Sequence, residues 1–153
     1  MSLILTSPAF ADGEIIPDKY TMYHDNLMPP LKWVGAPEGT ASFALVIEDP
    51  DAPHGTFRHL ALFNIPADYR GVAESSDTGS ERAMRYARND FGNQRYDGPR
   101  PPTGHGPHHY HFRLAALDVP SLSLPAEVGA AKIWEEACKH AIDKAELVGV
   151  YEH

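Results

Sequence analysis

Residues 101–111 read PPTGHGPHHYH and place four histidines, His105, His108, His109 and His111, around Tyr110 in a stretch punctuated by proline and glycine. Imidazoles can ligate a metal, move a proton or donate to an anion, and their neighbours decide which. Two further polar groups stand where apolar runs end or begin: Asp49 closes SFALVIEDP at 42–50, and His59 opens HLALFNIP at 59–66. An Asp49 carboxylate that accepts from one imidazole would fix that ring and favour its charged form. A fixed imidazole, a second imidazole and the Tyr110 hydroxyl then make convergent donors for a small anion such as phosphate. Taken singly, His59 and His108 read equally well as hydrogen-bonded residues at strand ends.

The other histidines raise a metal reading. His109 and His111 lie two apart on one strand face, a separation that can place two imidazoles on one ion, with His105 as a third. No acidic residue follows at a spacing that completes a metal motif, and Arg113 shares the face, so no metal is expected and a solvated strand face is the plainer reading. G-x-S-x-G, H-E-x-x-H, G-x-x-x-x-G-K-[ST] and G-x-G-x-x-G are all absent. DTGSE at 77–81 is a common turn sequence with no second copy. Asp49 and His59 could serve a hydrolase as orienter and base, yet no serine is nominated for them. A non-catalytic protein without a cofactor is the favoured expectation, with a phosphoester or peptide hydrolase as an alternative.

These groups need elements to hold them. The 14 prolines fall at 8–66 and 99–125, which breaks up long helices there and favours short strands. The run 42–50 is nearly continuous in apolar residues, as a strand buried on both faces requires, and 59–66 is similar. Such strands need a layer on each side, as in a β-sandwich with an extra cover. HYHFRLAALD at 109–118 alternates instead: His108 and Tyr110 share the core-side parity of Phe112 and Leu114, while His109, His111 and Arg113 take the other face. The polar stretch 71–98 predicts a long loop with brief pairing. Ala130, Ile133, Trp134, Ala137 and Ala141 recur at helical spacing, predicting a helix or two, and LVGVY at 147–151 a closing strand.

Composition limits the partners. The chain has 153 residues, enough to bury about two thirds of its unfolded surface as one domain spanning 1–153. With 13 Lys and Arg against 21 Asp and Glu, the net charge of −8 repels nucleic acid and anionic membranes, so any anion must be bound by a local site against the global field. Cys138 is the single cysteine, which excludes an internal disulfide and suits a reduced, cytoplasmic compartment. The apolar start MSLILTSPAF lacks a basic flank and is too short for a span, so no stable membrane insertion is expected.

The blocks DGEIIPDKYT, NLMPPLKW, DPDAP, HLALFNIP, NDFGNQRYDGPRPPTGHGPHHYHF and AELVGVY together resemble the phosphatidylethanolamine-binding protein family, most closely its short bacterial and archaeal branch, the Raf kinase inhibitor-like proteins. The resemblance covers almost the whole chain. Two blocks carry it: D-P-D-A-P followed closely by a histidine, and G-P-x-P-P-x-G-x-x-x-H-x-Y. It implies a mainly β fold, an antiparallel β-sandwich of a large sheet packed on a smaller one with C-terminal α-helices, and a small anion pocket at one end. That pocket would comprise Asp49, His59, Pro101, Pro102, His108 and Tyr110, with Ala52 and Pro53 as its floor and the bond between them a candidate cis peptide. Arg100, at a position often small in the family, would bring a cation to the rim or pair with Asp97. The implied ligand is phosphate, a phosphoethanolamine-like group or a phosphorylated side chain. The implied partners are a protein kinase or protease, bound through the pocket or independently of it, and a second copy in a homodimer.

Overall fold

The computed structural model describes residues 2–78, 84–125 and 127–153. Most of DTGSE therefore lies outside the described residues; Asp77 and Thr78 belong to a short 3-10 turn. Two antiparallel sheets form the protein. Strands β1 (Ile4–Thr6), β2 (Leu31–Val34) and β5 (Gly71–Val72) make a three-stranded sheet in the order β1, β2, β5. Strands β3 (Ser42–Asp49), β4 (Phe57–Pro66), β6 (Arg85–Tyr86), β7 (His108–Leu117) and β8 (Ala141–Tyr151) make a five-stranded sheet in the order β6, β4, β3, β7, β8.

The continuous apolar run does what its composition demands. All eight residues of β3 are buried, because the strand is central and covered on both faces. Phe43, Leu45 and Ile47 join Leu5, Leu31 and Trp33 of the small sheet, and the Trp33 and Phe43 rings lie 5.4 Å apart. Ala44 and Val46 face the other way, with Ala61 and Ala115, beneath helix α1 (Ala130–Lys139). Small side chains at the sheet surface let Ile133 and Ala137 of the helix sit close to it. Burying each large side chain of this kind contributes about 1.5–3 kcal/mol.

The helical spacing continues to Ala141, but α1 stops at Lys139, and it is one helix followed by a strand rather than a terminal pair. The cause lies in the sheet: β7 offers an open edge, and Ala141 pairs with Leu117 to begin an 11-residue β8 instead of adding a helical turn. The described residues of 71–98 pair briefly, through β5, β6 and a single bridge from Arg88 to Gly129. Among the described residues, no helix is long and apolar enough to cross a membrane.

Candidate functional site

Antiparallel order brings the chemistry together. β3 ends at Asp49 at the same edge of the sheet where β4 and β7 begin, so Asp49, His59, His108 and Tyr110 meet although they lie far apart in sequence. They line one cavity of about 280 Å³, a volume at the small end for ligand sites. All nine residues singled out from the sequence face this cavity: Asp49, Ala52, Pro53, His59, Arg100, Pro101, Pro102, His108 and Tyr110. Phe57 and Phe91 complete an apolar wall that the sequence reading missed. The available signal for Phe91 was a single phenylalanine in a polar stretch that also carries Tyr86 and Tyr96.

A β-bulge aims His59. Ile47 pairs with Leu60 and Glu48 with Arg58, so His59 is an extra residue on β4. Strict alternation from Leu60 would turn His59 towards the helix side; the bulge instead sets its ring 5.3 Å from Tyr110. Phe57 at 5.0 Å and Phe91 at 5.7 Å close around the same ring. Its Nδ1 lies 2.7 Å from the Asp97 carbonyl oxygen, which can only accept, so Nδ1 carries the proton and Nε2 is the nitrogen left over.

Burial pushes the His59 imidazole below its ordinary value of 6.5, with the Asp97 carbonyl and the Asp49 charge opposing. The unfolded chain therefore takes up this proton near pH 6.5 and the folded protein only at lower pH. Stability from this site is complete above about pH 6.5 and is lost as pH falls towards the folded-state value. Urea unfolding at pH 7.5 and 5.0 checks the sign: His59→Gln should lose less stability across that interval than the native chain, and parallel losses would refute it.

Asp97 itself is fully buried. Its carboxylate accepts from the side-chain amides of Asn26, Asn89 and Asn93 at 2.9–3.0 Å and pairs with Arg95 Nε at 3.1 Å. The pairing with Arg100 suggested by the sequence does not form, because Asp97 is already saturated; Arg100 stays exposed at the cavity and, among the described residues, makes no ion pair. The next residue must be glycine: a Cβ on Gly98 would run into the Tyr20 carbonyl oxygen and lie 2.8 Å from the Tyr96 hydroxyl.

Asp49 orients His108 rather than His59. Asp49 Oδ2 accepts from His108 Nδ1 at 2.7 Å, and Oδ1 accepts from the Asp51 N–H at 2.8 Å. Asp49 and His59 therefore do not form the hydrogen-bonded pair that a hydrolase built on them would need. The other nitrogen of His108, Nε2, lies 2.6 Å from His105 Nδ1. His105, read from sequence as a loop residue outside the pocket, is thus bonded to one of its walls.

Tyr110 is 1% exposed, and among the described residues its hydroxyl has no hydrogen-bond partner. Burial pushes the phenol well above its ordinary value, with the Asp49 charge adding to the shift. The Arg100 backbone opposes the shift as the smallest cause, without closing a well-formed hydrogen bond to the hydroxyl. Tyr110 thus keeps its proton and presents an unused donor.

The floor differs from expectation in one respect. The Ala52–Pro53 bond is trans, as are all peptide bonds of the described residues. Ala52 to Gly55 form a turn closed by the Gly55 N–H on the Ala52 carbonyl at 3.1 Å, and proline at its second position fits that turn in the trans form. The loop above the cavity is clamped from both chain ends: the Tyr23 hydroxyl donates to the Pro101 carbonyl at 2.6 Å, and Gly104 N–H donates to the His153 carbonyl at 2.9 Å. Tyr23 and His153 also stack, with ring centroids 3.7 Å apart.

His109 and His111 face away from the cavity, as strand parity requires, and go to separate acids. His109 Nδ1 lies 2.8 Å from Asp51 and His111 Nδ1 3.3 Å from Glu146, while Arg113 bridges Glu146 and Glu48. Among the described residues, no group of three or more His, Cys, Asp or Glu is arranged to hold a metal.

Comparison with known proteins places this architecture. Residues 6–152 match the family model described as phosphatidylethanolamine-binding protein. UPF0098 protein PH1269 of Pyrococcus horikoshii is 39% identical over 99% of this chain and 77% of its own length. A UPF0098 protein of Methanothermobacter thermautotrophicus is 40% identical over 96% of this chain and 97% of its own. LppC of Mycobacterium tuberculosis, named as a lipoprotein, is 37% identical over 98% of this chain and 72% of its own. The crystal structure of E. coli YbcL, described as a new member of the mammalian PEBP family, superposes with a TM-score of 0.94 at 31% identity, covering 100% of this chain and 99% of that one. With two antiparallel sheets, the two signature blocks meeting at one cavity and relatives matched nearly end to end, the chain belongs to the phosphatidylethanolamine-binding protein family.

Proposed function

We propose that the chain is a non-catalytic binding protein for a small phosphate-like anion: phosphate itself, a phosphoethanolamine-like group or a phosphorylated side chain. The observation that carries this reading is the Tyr110 hydroxyl, a buried donor in the cavity wall with no partner of its own. Buried polar groups are almost always satisfied, so one left without a partner on a cavity-lining residue suits a ligand atom. Arg100 supports the reading as a cation at the cavity in a chain of net charge −8. Asp49 acts by holding the His108 ring, and the burial of His108 and Tyr110 strengthens hydrogen bonds made there to a charged group.

Calorimetric titration with inorganic phosphate and with phosphoethanolamine at pH 7 tests it. Removing a hydrogen bond to a charged group should cost about tenfold or more in affinity for Arg100→Ala and for His108→Ala. Affinity unchanged in both variants would sink the proposal. The cytoplasm is the proposed location, on the strength of the single Cys138; LppC, named as a lipoprotein, marks the alternative.

A further inference from the structure

The contact between His105 and His108 bears on when the pocket can take an anion. His105 is exposed on the turn that follows Pro102, its own N–H bonded to the Pro102 carbonyl at 3.1 Å. Its Nδ1 stands 2.6 Å from His108 Nε2. Two nitrogens at that distance share one proton, since an N–H on each would collide. The buried Asp49 carboxylate holds a proton on His108 Nδ1, so the neutral His108 ring has a lone pair at Nε2 and receives the N–H of His105. His59 is in the same condition, with Nδ1–H committed to the Asp97 carbonyl. In its neutral state the cavity therefore faces an anion with two imidazoles that accept, where donors are required.

We infer that His105 is a built-in competitor for the anion: its Nδ1 occupies the His108 nitrogen that an anion would use, and the contact breaks when both rings are protonated and an N–H on each would face the other. His105 then leaves His108 to the ligand, and anion and proton enter together. This rests on the anion-pocket reading above. The charged and titratable groups around the pair are Asp49 at the end of β3 and Asp51 after it, Arg100, Tyr110 and His59 in the cavity, and Tyr151, the cross-strand neighbour of His108. Exposure of His105, against 2% for His108, means that only the outer ring is free to move away.

Sulfate is the suitable probe, because its charge is constant where phosphate itself titrates. Native affinity for sulfate should rise as pH falls from 7.5 to 5.5, approaching about tenfold per pH unit where one proton is taken up per anion. His105→Ala removes the competitor, so it should bind sulfate about five- to tenfold more tightly than the native chain at pH 7.5 and converge with it at pH 5.5. Equal or weaker binding by the variant at pH 7.5 overturns the inference. Nitrogen-15 spectra of the ligand-free protein give a second, independent readout. They should show His108 protonated at Nδ1 and bare at Nε2, with a titration that changes in His105→Ala. A His108 indifferent to His105 overturns the competitor by itself. An intact contact with no binding of sulfate or phosphate overturns the pocket reading instead.

Discussion

Tyr110→Phe is expected to stabilise the ligand-free protein while weakening its hold on phosphate, two effects of opposite sign from one oxygen atom. The hydroxyl is buried without a partner, and a donor stranded in that way costs about 1–3 kcal/mol that phenylalanine avoids. The ring stays, so its packing against His59 is kept and no large cavity opens. A gain of about 1 kcal/mol in urea unfolding, measured without phosphate or sulfate, is the expected result. Loss of a donor to a charged oxygen should lower phosphate affinity about tenfold or more. A destabilised variant would mean that the hydroxyl is satisfied in the free protein. A stabilised variant with native affinity would remove Tyr110 from the ligand contacts.

Asp97→Ala should be the most damaging single change near the site. It removes the charged acceptor shared by the amides of Asn26, Asn89 and Asn93, of which Asn89 keeps only the Arg95 carbonyl at 2.9 Å, whereas the Arg95 side chain, which is 56% exposed, can return to water. Hydrogen bonds to a charged acceptor at about 1.5–3 kcal/mol each, discounted for the half-buried Asn26 and Asn93, predict a loss of about 3 kcal/mol or more. Because the Asp97 carbonyl holds the His59 ring, phosphate affinity should fall as well, even though the carboxylate does not line the cavity. Urea unfolding and calorimetry on the same samples measure both. A loss below about 1 kcal/mol would show that the amides find other partners.

How far the site could be read from sequence follows from the kind of information each feature needs. Strand parity is local, so the division of the histidine cluster was legible: His108 and Tyr110 are buried, and His109 and His111 point the other way. The double burial of β3 was legible for the same reason, from its apolar run. The aim of His59 was not, because a bulge is set by the register between two strands and nothing local in HLALFNIP signals an extra residue. The end of α1 was misjudged because the competing partner, Leu117 on β7, lies outside the helix. The link from His105 to His108 was missed because a glycine-flanked loop residue carries no parity, and only the folded turn brings its ring back.

The clamp on the pocket loop also bears on how the protein reaches its native state. Tyr23 holds Pro101 across 78 residues of chain, and His153 reaches Gly104 from the far end of the last strand. Closing such long loops is entropically expensive, so these contacts should form after the central strands have paired, late along the folding route. An anion that binds the finished pocket would then leave the rate of folding nearly unchanged and slow unfolding instead. Its stabilising effect would appear almost wholly in the lifetime of the native protein, so the ligand would act as a kinetic lock and not as a template.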